Sequence, residues 1–475
     1  MREFDLVVIG SGPAGQKAAI QAAKLNKKVA IIEKQKVVGG ACANTGTLPS
    51  KTLKDAIFYL HGFKRRSFPH ITYSLAKQFT FTDLMARKDV VVRHEVDVLT
   101  HQLERNHVEL LTGGGALIDA HTVRVTPVHG GVEDLRAKVI VIATGSSPRR
   151  PADIPFDDVN VCDSDSILST EAIPKRVLVM GGGVIGCEYA SMFAAFGIKV
   201  TLLDRRTHLL RFIDQEVAHN LLFHMRANAM TLWLGEETTR VSVEDKVVVT
   251  ELKSGKRVES DVLLYAMGRT PNTEGLYLDS VGIALDKQGQ IPVNAHYQTK
   301  VPHIYAVGDV IGFPALASTS MEQGRVASAH AFGLSEAVMT PTWPYGIYTV
   351  PEVSTVGKGE EELTEAKVPY EVGRAFFKEI AKGQIVGDLE GLLKLVFHRE
   401  THELLGVHII GEGATELVHI GQVVMGFKGK VDFFVSNVFN YPTLAECYRV
   451  AALDGLNRLG TKRTTVAPAA MTSAG

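Results

Sequence analysis

The sequence of 475 residues contains only four cysteines, and no two of them form a CxxC pair. Cys42, Cys162, Cys187 and Cys447 are far apart along the chain. This spacing disfavours a disulfide framework or a zinc site, and it is typical of a protein from a reducing compartment. We therefore expect no bound metal.

Net charge and long apolar runs are also missing. The formal charge of −1 gives no reason to expect a nucleic-acid partner or binding to an anionic membrane surface. No apolar run approaches the ~18 residues that a membrane-spanning helix needs. A strand is expected from Phe4, which leaves no room for a signal peptide. These features predict a soluble, cytoplasmic α/β protein of about three domains.

A glycine-rich turn follows the first predicted strand. Phe4 to Ile9 is apolar apart from Asp5, the turn reads Gly-Ser-Gly-Pro-Ala-Gly, and an alanine-rich helix comes next. Gly10 permits a tight turn, Gly12 lets a pyrophosphate approach the backbone, and Gly15 allows close packing of helix on strand. The second strand ends at Glu33, where a carboxylate can accept hydrogen bonds from ribose hydroxyls.

The same pattern occurs a second time. A predicted strand precedes a turn that contains Gly181, Gly183 and Gly186, and the following strand ends at Asp204. In both copies the acidic residue lies 23 positions after the first glycine. One such motif is weak evidence, but two copies in matching context predict two dinucleotide-binding sites.

A third motif, Gly39 to Lys51, contains a single cysteine. Cys42 is followed five positions later by Thr47. A dithiol–disulfide couple needs two thiols within bonding geometry, which one cysteine cannot supply.

Together these motifs resemble the flavoprotein disulfide reductases, the class I pyridine nucleotide-disulfide oxidoreductases, in which this third motif carries two cysteines. The resemblance extends from Phe4 to about Leu459 and is strongest to a transhydrogenase subgroup. The segments Tyr345 to Gly357 and Phe439 to Thr443 are also similar to that subgroup.

The resemblance implies a fold class and a domain organisation. The expected fold is α/β, with two Rossmann-like dinucleotide-binding domains, for FAD and for NAD(P), and a C-terminal α+β dimerisation domain. The implied boundaries are 1–150 with 280–345 for FAD, 151–279 for NAD(P), 346–460 for dimerisation, and a flexible tail over 461–475.

Roles for individual residues follow from the same resemblance. Lys51 matches the lysine near the reactive flavin nitrogen and is expected to pair with Glu188. A cation there stabilises negative charge that arrives on the reduced ring. Asp309 matches the carboxylate that binds the ribityl chain. The remaining implied cofactor contacts are Gly115, Thr144, Gly145, Leu316, Ala317 and Gly268.

Disulfide reductases of this family also use a C-terminal histidine and glutamate to handle the thiol proton. The matching residues here are Tyr441 and Glu446, which by resemblance reach the partner's flavin in a homodimer; larger assemblies stay open. A phenol loses its proton near pH ~10, so a tyrosine is a poor base at neutral pH. The thiol partner and its base are therefore both absent, whereas hydride transfer between nicotinamide and flavin needs neither.

The residues at the end of the second motif do not indicate a single coenzyme. Asp204 favours the free 2′-hydroxyl of NAD, whereas Arg205 and Arg206 could grip the 2′-phosphate of NADP or simply be solvated. We hypothesise that NADPH and NAD occupy this one site in turn, each exchanging hydride with FAD.

Three other functions share much of this pattern. An NAD(P)H:quinone or acceptor reductase would keep every motif, dihydrolipoamide dehydrogenase is disfavoured by Thr47, and a non-catalytic redox sensor is disfavoured by the intact Lys51, Glu188 and Glu446. Cys42 has two interpretations. It is either a small core residue against the flavin or a low-pKa thiol that interacts with it electronically.

Overall fold

A computed structural model of the chain describes residues 1–65, 81–128, 130–170, 172–334, 338–340 and 342–460. The tail expected over 461–475 lies outside the described residues. The chain divides into two compact units. Unit 1 comprises Met1–Leu209 and Asn228–Pro341, and unit 2 comprises Leu210–Ala227 and Thr342–Gly475.

Most of the described strands belong to unit 1, whereas unit 2 combines one five-stranded sheet with α-helices. The strands are β1 (Arg2–Ile9), β2 (Val29–Glu33), β3 (Glu109–Thr112), β4 (Gly114–Asp119), β5 (Thr122–Thr126), β6 (Glu133–Ile142), β7 (Ser146–Pro148), β8 (Val161–Cys162), β9 (Arg176–Met180), β10 (Lys199–Asp204), β11 (Thr231–Leu234), β12 (Thr238–Glu244), β13 (Val247–Leu252), β14 (Arg257–Ser260), β15 (Val262–Tyr265), β16 (Arg269–Pro271), β17 (Ile304–Ala306), β18 (Tyr345–Ile347), β19 (Val353–Gly357), β20 (Tyr370–Phe376), β21 (Leu392–His398) and β22 (Leu404–Ile410). The helices are α1 (Pro13–Lys24), α2 (Gly40–Asn44), α3 (Thr47–Arg65), α4 (Phe81–Arg105), α5 (Val184–Phe196), α6 (Gln215–Ala227), α7 (Ala317–Ala331), α8 (Glu360–Glu365), α9 (Ala381–Val386), α10 (Ala414–Gly426), α11 (Asp432–Ser436) and α12 (Glu446–Arg458).

The first sheet of unit 1 has the strand order β3-β2-β1-β6-β5-β4, with β17 also paired to β6. Its β1, β2, β3, β6 and β17 pairings are parallel. Phe4, Val7 and Ile9 of β1 pack into the core on one face, while Leu6 and Val8 pack into the core on the other. A strand buried on both faces reads as a continuous apolar run, which is why the sequence predicts it well.

The second sheet of unit 1 is all parallel, with the order β11-β10-β9-β15-β8. It repeats the local connectivity of the first, since β9 leads through a glycine turn into α5 and then into β10. The antiparallel pair β7–β16 joins the segment after β6 to the segment after β15. The α/β fold with two Rossmann-like halves is thereby confirmed.

Unit 2 is built on an antiparallel sheet, β18-β19-β22-β21-β20, and it also contains α6, which comes from the middle of the sequence. The fully buried Lys394 of β21 explains this grouping. Its ammonium lies 2.7 Å from Asp214 and 3.0 Å from Glu216, at the start of α6. Arg374 adds a bidentate pair to Glu216. The predicted domain boundaries remain predictions.

Among the described residues, none of the helices combines the length and the apolar character needed to cross a membrane. The longest, α4, carries charged residues along its whole length.

The contact between α1 and α7 in unit 1 gives a stability prediction. A Cβ at Gly324 of α7 would lie 2.0 Å from the carbonyl oxygen of Ala14, so Gly324→Ala must force the two helices apart. We expect a loss of about 1–3 kcal/mol in unfolding free energy, measured as a lower unfolding midpoint. At Gly426 a Cβ meets nothing within 4 Å. Gly426→Ala should therefore leave the midpoint unchanged or slightly raised, and equal losses in both variants would contradict the packing argument.

Candidate active site

The first glycine turn joins β1 to α1 and leaves the N-terminus of the helix open. Gly10 has φ +104°, and a Cβ at Gly15 would lie 1.9 Å from the Gly10 carbonyl oxygen. No side chain caps α1 at Gly12, and a Cβ at Gly12 would meet nothing within 4 Å. The turn therefore presents helix N–H groups to open space, which is the arrangement that binds a pyrophosphate.

Glu33, at the end of β2, is tied to this turn. Its side chain is 6% exposed, and one oxygen accepts hydrogen bonds from the backbone N–H of Ser11 at 3.0 Å and from the Ser11 hydroxyl at 2.6 Å. The other oxygen accepts from the backbone N–H of Gln35 at 2.8 Å. The carboxylate thus lies beside the open helix end, where the sequence places a ribose.

The second glycine turn reproduces the first almost residue for residue. Gly181 has φ +115°, and a Cβ at Gly186 would lie 1.7 Å from the Gly181 carbonyl oxygen. No side chain caps α5 at Gly183, where a Cβ would again meet nothing within 4 Å. Asp204 accepts a hydrogen bond from the backbone N–H of Gly182 at 2.5 Å, as Glu33 does from Ser11.

Asp204 differs from Glu33 because the Arg206 guanidinium binds its carboxylate. The Arg206 guanidinium donates to both Asp204 oxygens, at 3.0 Å and 2.8 Å, and its backbone N–H donates at 2.7 Å. Burial opposes ionisation of Asp204, yet these hydrogen bonds hold the pKa of the carboxyl below its usual value. Arg205 is exposed, and its charge lowers the pKa of Glu237. The two arginines therefore differ in role, which the sequence alone did not reveal.

Cys42 lies in α2, and Thr47 begins α3. All four cysteines of the chain are free. Burial raises the pKa of the Cys42 thiol, while a hydrogen bond with the Thr47 side chain acts in the opposite direction. Thr47, which stands in place of a second cysteine, thus lowers the pKa that burial raises. The raised pKa favours the interpretation of Cys42 as a half-buried neutral thiol over that of a low-pKa thiol.

The predicted pair of Lys51 and Glu188 is present, with Lys51 Nζ 2.7 Å from Glu188 Oε2. The Glu188 side chain is 5% exposed and that of Lys51 is 24% exposed. The charges of Lys51 and Asp309 both act on the Cys42 thiol. The start of α3 and the start of α5 therefore meet at this ion pair, and Asp309, three residues after the end of β17, is close enough for its charge to act on Cys42.

Most of the other predicted cofactor contacts lie at the same ends of the strands. Thr144 and Gly145 follow β6, and both bond to Asn272. Gly115 packs beside Ile9 at the end of β1. Leu316 is the N-cap residue of α7 and Ala317 its first residue, with no side-chain cap. Gly268 accepts a backbone hydrogen bond from Arg149.

Three polar residues that the sequence analysis did not assign also lie here. Ser146 donates from its hydroxyl to Asp309 at 2.7 Å and accepts from Arg269 Nε at 2.8 Å. Asp165, after β8, accepts from the Thr45 hydroxyl at 3.0 Å. Asp165 follows the carboxyl end of a parallel strand, and Arg269 comes directly after Gly268. These two positions are the signals by which the sequence could have indicated that both residues belong to the site.

Tyr441 and Glu446 belong to unit 2. The Tyr441 side chain is 70% exposed, and Glu446, the first residue of α12, accepts a long hydrogen bond from the Thr443 backbone N–H at 3.4 Å. The neighbouring Val438 is 91% exposed. Their roles at a partner's flavin stay predictions.

No group of three or more histidine, cysteine or acidic side chains suited to a metal ion occurs in the part of the chain that the structure describes. His398 and His402, which lie four positions apart, are engaged otherwise. His398 Nδ1 accepts backbone hydrogen bonds, and His402 pairs with Asp432.

Two protein-family models match the sequence of this chain. Residues 4–324 match the family described as pyridine nucleotide-disulphide oxidoreductase, and residues 343–452 match its dimerisation domain. The chain belongs to the pyridine nucleotide-disulphide oxidoreductase family. The family match confirms the expected homodimer at the level of the dimerisation domain, and it confirms FAD and NAD(P) as the cofactors.

Two relatives are similar over nearly their whole length. A soluble pyridine nucleotide transhydrogenase from Mycobacterium tuberculosis is 51% identical over 460 residues, covering 97% of this chain and 98% of that protein. A protein of the same name from Colwellia psychrerythraea is 47% identical over 461 residues, covering 96% of this chain and 99% of that protein.

Solved structures confirm the fold. LpdA from Mycobacterium tuberculosis superposes with a TM-score of 0.88 at 26% identity, covering 95% of this chain and 99% of that chain. The HOCl-induced flavoprotein disulfide reductase RclA from Escherichia coli superposes with a TM-score of 0.84 at 27% identity, covering 94% of this chain and 99% of that chain.

The environment of Cys42 predicts slow thiol chemistry. Because burial raises the pKa of this thiol, little thiolate exists at pH 7, and alkylation by iodoacetamide should be slower than that of free cysteine and should accelerate as the pH rises. Thr47→Val removes the hydroxyl that lowers the pKa and should slow alkylation a further few-fold. Peptide mass spectrometry of the holoprotein measures the rate at Cys42.

Thr52→Val is the matched control for this measurement, because the Thr52 hydroxyl donates to the Leu48 carbonyl. It should leave the rate at Cys42 unchanged. A Cys42 that is alkylated at pH 7 faster than free cysteine would restore the low-pKa interpretation.

Proposed function

We propose that this chain transfers hydride between NADPH and NAD through a bound FAD, without a redox-active disulfide. The observation that carries the proposal is that Cys42 supplies the only sulfur of the segment from Gly39 to Lys51, with Thr47 five positions later in place of a second cysteine. The relatives named as soluble transhydrogenases support the same reaction.

The residues of the first glycine turn fit FAD. The uncapped N-terminus of α1 and the open space at Gly12 suit a pyrophosphate, and Glu33 suits the adenosine ribose. Asp309 would accept a hydrogen bond from the ribityl chain. When bound, FAD takes up hydride from one nicotinamide and gives it to another.

Lys51 and Glu188 are the charged residues proposed to act on the reaction. Lys51 would stabilise the negative charge that accompanies hydride arrival. Glu188, which is buried, holds the ammonium at 2.7 Å and so limits the positions that the long lysine side chain can take. A preorganised charge is more effective than a mobile one, because it needs no reorganisation during the reaction.

Coenzyme choice is proposed to depend on Asp204 and Arg206. An uncovered Asp204 would repel a 2′-phosphate, whereas the Arg206 guanidinium neutralises the carboxylate and offers donors to a phosphate. The same pair can accommodate NAD, whose ribose hydroxyl needs only an acceptor. One site could thus receive both coenzymes in turn.

We further propose that Tyr441 and Glu446 contact the flavin of the partner in a homodimer, that the protein is cytoplasmic, and that nucleic acids are not partners. The exposure of Tyr441 and Val438 suits a surface that another subunit covers. The domain boundaries at residues 150, 279 and 345 belong to the same proposal.

Stopped-flow spectroscopy of the holoprotein tests the function. NADPH should reduce the flavin, and NAD added to the reduced protein should reoxidise it within the time of steady-state turnover. A flavin that NADPH cannot reduce would refute the proposal. Faster reoxidation by quinones than by NAD would favour the acceptor-reductase alternative.

Substitution of Arg206 tests the assignment of coenzyme choice. Arg206→Met leaves the buried Asp204 carboxylate without its guanidinium, so a 2′-phosphate meets an unneutralised negative charge. We expect kcat/KM for NADPH to fall roughly 10–100-fold, while kcat/KM for NADH changes little. Steady-state assays with thio-NAD as acceptor measure both values.

Arg205→Met is the matched control, because it removes the same charge one residue away and leaves the Asp204 contacts intact. Its NADPH/NADH ratio should change less than that of Arg206→Met. Equal losses for both coenzymes in Arg206→Met would show that the residue only supports the structure.

A further inference from the structure

The hydrogen bonds around Ser146 form a directed chain in unit 1. Arg269 Nε donates to the Ser146 hydroxyl at 2.8 Å, and the Ser146 hydroxyl donates to Asp309 Oδ2 at 2.7 Å. A second donor of the same guanidinium, Nη2, lies 2.7 Å from the Ser146 carbonyl oxygen. Ser146 is buried. Arg269 therefore holds Ser146 at two points.

The direction of these hydrogen bonds follows from the donors and acceptors that each side chain has. A guanidinium can only donate, and a serine hydroxyl carries a single proton. Because the hydroxyl oxygen accepts from Arg269, its proton is directed to Asp309. One Asp309 oxygen, Oδ2, is therefore engaged by the Ser146 hydroxyl.

The position of Arg269 in the fold extends this chain of hydrogen bonds to the second nucleotide-binding half of unit 1. Arg269 begins β16 directly after Gly268, and β16 pairs with β7 through the register Arg269–Pro148, Thr270–Ser147 and Pro271–Ser146. Ser146 is the first residue of β7. The strand pair is thus one of the places where the two halves of unit 1 contact each other.

The charge of Arg269 also acts on a second carboxylate. Burial raises the pKa of Asp165, and the charge of Arg269 is the largest influence that lowers it. Asp165 in turn accepts from the hydroxyl of Thr45, within the segment from Gly39 to Lys51. The guanidinium that contacts Ser146 therefore also influences the carboxylate that is bonded to this segment.

We propose that Arg269 is a positioning residue of the flavin site, acting through the Ser146 hydroxyl to orient Asp309 toward the ribityl chain of FAD. Without Arg269 the hydroxyl can rotate away, and Asp309 loses the donor that fixes it. The inference rests on the proposed function only in taking FAD as the ligand.

A double-mutant cycle on FAD affinity tests the proposal. Full-length holoproteins of the wild type, Arg269→Met, Ser146→Ala and the double variant are diluted, and the fluorescence of released FAD gives each Kd. Each single variant should raise Kd roughly 10-fold, which is about 1.4 kcal/mol and the size of one hydrogen bond. The double variant should match Ser146→Ala alone, because Arg269 acts through that hydroxyl.

Two further variants make the outcome specific. Arg269→Lys keeps the charge and loses the two-point contact, so its Kd should fall between those of the wild type and Arg269→Met; it replaces the methionine variant in the cycle if that variant does not fold. Thr270→Ala, at the exposed next position of β16, should change Kd less than 2-fold.

The possible results separate this proposal from the proposed function. Unchanged FAD affinity in Arg269→Met, or additive losses in the double variant, would overturn the role of Arg269 while leaving the transhydrogenase proposal intact. A wild-type protein that binds no FAD would instead refute the proposed function itself.

Discussion

A buried carboxylate that holds the backbone of a glycine turn is the interaction on which both nucleotide sites depend. Glu33 accepts from the N–H of Ser11, and Asp204 accepts from the N–H of Gly182. Each bond fixes the turn against the end of the adjacent strand, beside a helix N-terminus that no side chain caps. The same arrangement of carboxylate, glycine turn and helix thus occurs twice in the chain. The difference between the copies, Arg206 on Asp204, is where coenzyme choice is proposed to arise.

The chemistry between these sites is limited by what stands beside Cys42. Thr47 can hydrogen-bond a thiol but cannot form a disulfide with it, so no dithiol store is available in this segment. Lys51, paired with the buried Glu188, keeps the charge that assists hydride arrival. Loss of the second sulfur together with retention of the cation favours a flavin that serves two nicotinamides.

The sequence predicted the parts of the fold that have strong local causes. The apolar strands, the glycine turns and the Lys51–Glu188 pair all follow from composition, spacing or family resemblance, and the elements are present where they were expected. The contacts of Arg206, Arg269 and Lys394 could not be predicted in this way. Each joins residues whose proximity depends on packing or on side-chain choice among several nearby acids. The grouping of α6 with unit 2 depends on such a contact, from the buried Lys394 to Asp214.

The central claim is that the flavin alone stores the electrons that pass between the nucleotides. An anaerobic reductive titration of the holoprotein, followed by the flavin absorbance, tests this claim directly. One hydride equivalent per FAD should bleach the flavin completely, with no lag. A requirement for a further equivalent before or during bleaching would reveal a second two-electron acceptor in the protein and would contradict the account.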